Sequence, residues 1–288
     1  MEEEIVISVK GLSQRYGKGR IIYDNMSFDV PKGRILGLLG KNGTGKTTTI
    51  NILMGYLRPQ SGVCKIFGED ITKMSAATRE RIALLLEGHV QYAFMTIGQI
   101  ERFYSQFYKK WNRAAYYELM EKLKVTPDQK LSSMSCGQRS QVALGLILAQ
   151  NADLLVLDDF SLGLDPGYRR LFTDYLREYA KAENKTVFMT SHIIQDMERL
   201  VDDCIILDYG SILVQKPVKE LMDTFHRYAF TAADCSALVS DSRLYSTSRI
   251  RENCETFSFE TGEAVRKILE EKACLLYTSP SPRDVEES

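Results

Sequence analysis

Eight consecutive residues, Gly40-Lys41-Asn42-Gly43-Thr44-Gly45-Lys46-Thr47, fit the pattern G-x-x-x-x-G-K-[ST]. Glycines at these positions let the backbone curl so that its N–H groups point inward at phosphate oxygens. In such a loop Lys46 reaches the β- and γ-phosphates, and the Thr47 hydroxyl holds Mg²⁺. A second cluster follows the apolar run Leu154-Leu155-Val156-Leu157, which ends in Asp158-Asp159. An acid at the C-terminal end of a buried strand suits a Mg²⁺-holding position beside a phosphate loop. Taken without the loop, the same pair reads as a solvated strand end or a helix cap. Two smaller signals remain. Met134-Ser135-Cys136-Gly137-Gln138 opens an apolar helix, and Ser191-His192 closes a buried strand. A histidine in that place is ordinarily a cap or a packed bystander.

These groups need a scaffold of alternating strands and helices. Ile35-Leu36-Gly37-Leu38-Leu39 reads as a buried strand, and Thr48 to Met54 as the helix after the loop, which is the context the loop requires. The helix N-terminus adds partial positive charge at the phosphate position. Further strands are expected at Ile5–Val9, Met26–Val30, Val63–Phe67, Ile82–Leu86, Leu154–Leu157 and Thr186–Thr190. Cys204–Leu207 and Ser211–Val214 read as a hairpin about Asp208-Tyr209-Gly210. From Gly88 to about Ser132 the texture becomes helical, aromatic and charged. Phe103, Phe107 and Trp111 stand at i, i+4 and i+8, the spacing of one helix face and of a small helical core. Residues 218 to about 273 carry no chemical motif and read as an α+β appendage with two strands, near Tyr228 and Phe257.

The bulk properties exclude several classes. The chain has 288 residues, enough for one large or two modest domains. Lys and Arg number 37 against 38 Asp and Glu, so there is no basic footprint for nucleic acid. The six cysteines contain no C-x-x-C pair and read as free thiols of a reducing compartment. Met1-Glu2-Glu3-Glu4 is acidic, unlike a signal peptide, and the run Val142 to Ala149 is too short to span a bilayer.

Taken in order, these motifs resemble the nucleotide-binding subunit of an ATP-binding cassette (ABC) transporter: glycine loop, helical insert, S-x-G-Q at a helix start, four hydrophobics with Asp158, the turn Gly163-Leu164-Asp165, then His192. The resemblance covers about residues 4–216 and is most similar to bacterial cassettes encoded apart from their membrane subunits, often in exporters. It implies an α/β fold: a P-loop NTPase core with an antiparallel β subdomain, an inserted α-helical subdomain over about 88–150, and the small α+β C-terminal appendage over 217–273. It also implies ATP and Mg²⁺ as ligands, a second nucleotide-binding subunit in a homo- or heterodimer, a separate transmembrane permease, and a cytoplasmic place at the inner face of the plasma membrane. Nucleic acid is not an implied partner.

Residue by residue, the resemblance gives Tyr16 the adenine-stacking place, although alone Tyr16 reads as a partly buried strand-end tyrosine. Gly40, Lys41, Asn42, Gly43, Thr44, Gly45, Lys46, Thr47 and Thr48 match the phosphate loop, and Thr47 and Asp158 match Mg²⁺ contacts. Ser135, Gly137 and Gln138 match the signature loop, which in the family closes on the ATP of a second subunit. Asp165 matches the turn that communicates across the dimer, and His192 the contact to the γ-phosphate and attacking water. Three departures stand out. Glu87 occupies the lid position, facing Mg²⁺ and the membrane subunit, where glutamine is usual. Cys136 replaces a signature glycine, so that its backbone either needs no positive φ or is strained. Asp159 replaces the catalytic glutamate, one methylene shorter, and Phe160 replaces the proline after it. Slow but real hydrolysis is the expectation.

The leading reading is an ATPase subunit powering a membrane transporter. A ribosome- or DNA-directed ABC ATPase is disfavoured because no second cassette, coiled coil or zinc motif is visible. A weakly hydrolysing regulatory or partner subunit is the third reading, motivated by Asp159 and Cys136. Cys274 to Asp284 fits nothing before it, and one of its back-translations resembles a transposon-derived sequencing adapter. Residues 274–288 are therefore expected to be foreign to the natural protein, against the alternative of a Pro/Ser-rich disordered tail.

Overall fold

A computed structural model of the chain describes residues 3–17, 19, 21–86, 92–160, 164–192, 198–230, 236–239, 241, 243–250 and 253–271. Glu87 and the tail from 274 lie outside them. The chain divides into two compact units, Met1–Lys216 and Pro217–Ser288.

The first unit has two sheets. Strands β1 (Ile5–Arg15), β2 (Ile21–Pro31), β4 (Ser61–Ile66) and β5 (Glu69–Asp70) form one, in the order β2-β1-β4-β5, with every pairing antiparallel. The first two strands are longer than the apolar pattern suggests. Their outer halves are polar and irregular, with Gly11 and Asn25 at positive φ where the register shifts, so no clean alternation marks them in the sequence.

The second sheet contains β3 (Ile35–Gly40), β6 (Ile82–Leu85), β7 (Leu154–Leu157), β8 (Thr186–Ser191), β9 (Asp203–Asp208) and β10 (Ser211–Pro217), in the order β10-β9-β3-β8-β7-β6. The pairs β9–β3, β3–β8, β8–β7 and β7–β6 are parallel. Every residue of β7 and β8 is buried, as parallel strands covered on both faces require. Phe28 of β2 stacks on Phe188 of β8, with ring centroids 5.9 Å apart, and so joins the two sheets through one core. Parallel alignment brings the C-terminal ends of β3, β7 and β8 to one edge. That edge carries Gly40, Asp158 and His192.

Helices α1 (Lys46–Leu53), α2 (Ala76–Arg79), α3 (Ile97–Ser105), α4 (Arg113–Lys122), α5 (Cys136–Ala149) and α6 (Pro166–Ala182) belong to this unit. Residues 92–150 hold α3, α4 and α5. The stripe of Phe103, Phe107 and Trp111 does not form one helix face. α3 stops at Ser105, because the chain must turn to present Asn112, whose side chain caps α4 by accepting from the Ala115 N–H at 3.1 Å. Phe107 is left 66% exposed, edge-to-face on Phe103. Trp111 instead donates its indole N–H to Glu101 Oε1 at 2.9 Å.

Glu101 is a buried carboxylate, and its other oxygen faces Arg113 at 3.4 Å and accepts from the Tyr117 hydroxyl at 3.5 Å. It ties α3 to α4. Glu101→Ala removes the acceptor of the half-buried indole N–H and is expected to cost about 1–3 kcal/mol of stability, whereas Glu101→Gln, which keeps an acceptor, should cost less. Urea denaturation of both variants checks this, and equal midpoints for wild type and Glu101→Ala would count against it.

The second unit has α7 (Val218–Thr224), β11 (His226–Phe230), α8 (Ser236–Val239), β12 (Tyr245–Ile250), β13 (Asn253–Ser258) and α9 (Gly262–Glu271). Its antiparallel sheet runs β11-β13-β12. Phe230, Leu238, Leu244, Cys254, Val265, Ile268 and Leu269 form its core. The strand Tyr245–Ile250 escapes a pattern reading because Ser246, Thr247, Ser248 and Arg249 carry no apolar alternation. Backbone pairing to β13 places it there.

Candidate functional site

The glycine loop joins the end of β3 to α1. Gly45 has φ 107°, and any side chain there would run into Ile22 and Tyr23 of β2, so glycine is required on two counts. The loop is braced from within: the Thr44 hydroxyl donates to the Lys41 carbonyl at 2.9 Å, and the Thr49 hydroxyl to the Gly45 carbonyl at 3.0 Å. Lys46 is buried and curls over the loop, its ammonium donating to the carbonyls of Gly40 at 2.8 Å and Lys41 at 3.2 Å. Asn42 and Gly43 sit exposed at the loop's crown. No acidic residue occupies the first turn of α1, so its positive end is not neutralised locally.

Tyr16 follows directly on β1. Its ring is 51% exposed, and its hydroxyl shares a 3.2 Å hydrogen bond with that of Thr48 on α1. One edge of the aromatic is thus tethered to the phosphate-loop helix while much of its surface stays open. Tyr16 is thus a half-exposed tyrosine at a strand end, with a hydroxyl contact to α1.

Asp158, only 2% exposed, lies at the end of β7. Its Oδ1 accepts from the Thr47 hydroxyl at 3.3 Å and from the Thr190 hydroxyl at 2.7 Å. Two hydroxyl donors satisfy this oxygen, as a buried carboxyl group requires. Neither a solvated strand end nor a helix cap accounts for that burial. Thr47 and Asp158 bring two hard oxygen ligands together, the donor type that Mg²⁺ takes. Among the described residues no group of three or more His, Cys, Asp or Glu converges on one point. A cation held here would take its other ligands from water and phosphate oxygens, in the manner usual for Mg²⁺. The residues therefore fit the ion.

Asp159, the next residue, is left-handed at φ 39°. Asp is among the few side chains that accept this region. The turn aims its carboxylate at His192, whose Nδ1 lies 3.0 and 2.9 Å from the two oxygens. The segment is anchored by Phe160, whose ring stacks on Phe172 of α6 at 4.4 Å. So Asp159 and His192, 33 residues apart, form one unit within hydrogen-bond reach.

Ser135, Gly137, Gln138 and Asp165 form a second group, built on α5 and α6. Ser135 caps α5, accepting from the Gln138 N–H at 3.2 Å, while the Gln138 side chain accepts from the Ser135 N–H at 3.1 Å. Cys136 is the first residue of that helix and has no positive φ, so the replaced glycine needs no special backbone. Gly137 has a steric reason instead: a side chain there would strike the ring of Tyr168. Gln141, fully buried, donates to the Tyr168 carbonyl at 2.8 Å, and Asp165 caps α6 by accepting from the N–H groups of Gly167 and Tyr168. Thr190 and Gln141 escape a motif reading. The signal for Thr190 was a hydroxyl near the end of a wholly buried strand, two residues before His192.

Comparison with known proteins bears on this geometry. The family model described as "ABC transporter" matches residues 23–161. The Nod factor export ATP-binding protein I of Ralstonia nicotianae is 31% identical over 222 residues, 75% of this chain and 68% of that protein. The bacitracin transport ATP-binding protein BcrA of Bacillus licheniformis is 30% identical over 225 residues, 77% of this chain and 73% of that protein. Among solved structures, an ATP-binding subunit of an ABC transporter aligns with TM-score 0.65 at 24% identity, covering 76% of this chain and 92% of that one. The cbiO1 subunit from Clostridium perfringens aligns with TM-score 0.66 at 22% identity, covering 77% and 92%. The two structural matches speak to the fold.

Proposed function

The chain belongs to the family of ABC transporter ATP-binding proteins, and on that premise we propose that it hydrolyses ATP to drive a transporter working in the export direction. It is an ATP-binding subunit of the ABC type. The relative named for Nod factor export supports the direction. The observation that carries the hydrolytic reading is the paired arrangement at the sheet edge, where Asp158 is bound to Thr47 and Asp159 to His192.

The roles follow from position. The loop from Gly40 to Thr47 and the N-terminus of α1 bind the phosphates, with Lys46 on the β- and γ-groups. Tyr16 stacks on the adenine. Thr47 and Asp158 would hold Mg²⁺, which when bound neutralises charge on the transferring phosphoryl group. Asp159 orients the attacking water and accepts its proton, and His192 keeps that carboxylate aimed while facing the γ-phosphate. Glu87 completes the site from the lid. Ser135, Gly137, Gln138 and Asp165 serve the ATP of a second subunit, so two chains enclose two nucleotides. In this reading residues 4–216 are the nucleotide-binding domain with its insert over 88–150, residues 217–273 the appendage, and residues 274–288 are foreign to it.

Among the described residues no helix is long and apolar enough to cross a membrane. A separate permease would bring the spanning part and place this subunit on the cytoplasmic face. The aromatic cluster of the insert suits its docking: Tyr92, Phe94 and Phe107 are exposed around Phe103, with ring centroids 5.2–5.9 Å apart. Phe94→Asp combined with Phe107→Asp is expected to lower recovery of a polytopic membrane protein with the tagged chain from detergent extracts by at least about tenfold, the effect of losing hot-spot aromatics. ATP binding should be unchanged. Undiminished recovery would move the docking surface elsewhere. The reading as a whole is tested by Mg-ATP turnover of the chain purified with that partner.

The shorter carboxylate at Asp159 favours a second reading, a weakly hydrolysing subunit paired with a more competent one. Turnover of the chain alone, set against that of the complex, separates the two.

A further inference from the structure

We propose that Thr190 is a positioning residue for hydrolysis, setting the geometry of both site carboxylates through one hydroxyl. Thr190 is fully buried on β8, paired in register with Leu38 of β3. Its hydroxyl donates to Asp158 Oδ1 at 2.7 Å and accepts from the backbone N–H of Asp159 at 3.0 Å. The same oxygen thus holds the side chain of one acid and the peptide of the next.

The second bond matters because Asp159 is left-handed. A non-glycine residue in that region persists only where its surroundings hold it. The held peptide leaves β7 in the direction that presents the Asp159 carboxylate to His192. Thr190, on β8, and His192, which follows directly on that strand, both reach Asp159. One fixes the Asp159 backbone and the other its carboxylate. In the first bond, Thr190 shares Asp158 with Thr47. Removing the hydroxyl would loosen the Mg²⁺-holding carboxylate and the water-orienting one together, without removing either.

This inference rests on the hydrolytic reading above. The test compares the full chain with T190V and T190S, each purified with its membrane partner. T190V keeps the shape and loses the hydroxyl. It is expected to lower kcat for Mg-ATP by about 10- to 100-fold, the scale for a misplaced catalytic group, with KM for ATP within about twofold. T190S, which restores the hydroxyl, should recover to within about threefold of wild type. A merely structural role would lower thermal stability without splitting kcat from KM. If T190V does not fold, T190C carries the same comparison, because its thiol is a weak hydrogen-bond partner. Retention of wild-type kcat by T190V or T190C, or T190S as slow as either, overturns the assignment. A wild-type complex with no turnover overturns the hydrolytic reading instead.

Discussion

Lys46→Ala is expected to weaken ATP binding by about 100-fold, the scale for losing hydrogen bonds from a charged donor to phosphate, and to abolish turnover at ordinary ATP concentrations. The structural basis is the place of the ammonium. It is buried within the glycine loop and already donates to the carbonyls of Gly40 and Lys41. Its charge is therefore held against the loop, and it need only turn from carbonyl to phosphate. Lys46→Arg should not rescue, since a planar guanidinium cannot occupy the space of a compact ammonium between two backbone carbonyls. Titration with a fluorescent ATP analogue measures the affinity directly. An unchanged affinity in Lys46→Ala would mean that the loop binds no phosphate.

Asp159→Asn is expected to lower kcat by about 10²–10⁴ while ATP affinity stays within about twofold, because the amide cannot accept a proton from water. The substitution isolates chemistry from folding. Asn tolerates the left-handed region as well as Asp does, so the φ of 39° should persist. Asp159→Glu tests the other direction. One more methylene extends the carboxylate toward the reacting centre, and a gain of about tenfold in kcat is expected if reach limits the wild-type rate. Turnover unaffected by Asn would remove Asp159 from the mechanism. Turnover absent in wild type but present in Asp159→Glu would favour the weakly hydrolysing subunit.

The two substitutions draw on different parts of the chain. Lys46 lies in a contiguous motif, and its role is legible because the loop's chemistry is local: glycines, a lysine and a helix start in eight successive positions. Asp159 is legible only as a departure. Its type is plain in the sequence, but its left-handed backbone, its contact with His192 and the hydroxyl beneath its peptide are not. Phe160 is similar. The sequence shows a bulky ring where a turn is needed, and the structure shows that ring stacked on Phe172.

The aromatic insert failed in an instructive way. Periodicity assigned Phe103, Phe107 and Trp111 to one helix face, yet the helix ends at Ser105. A buried carboxylate ten residues back claimed the indole of Trp111, and Asn112 claimed the start of α4. Spacing alone cannot register such competition, because capping and buried hydrogen bonds outweigh one turn of side-chain periodicity.

By itself, then, the sequence determined the alternation of strands and helices, the glycine loop and the acids that follow an apolar strand. Each depends on residues near one another along the chain, where backbone sterics and side-chain period act directly. Tertiary structure decided what meets. Parallel pairing of β3, β7 and β8 aligned the end of β3 with two strand ends more than a hundred residues further along the chain, and so placed Thr47 on Asp158, and His192 on Asp159. Strand order is not written in any one strand, since all three are almost wholly buried. Only their packing together chose which carboxylate faces which hydroxyl.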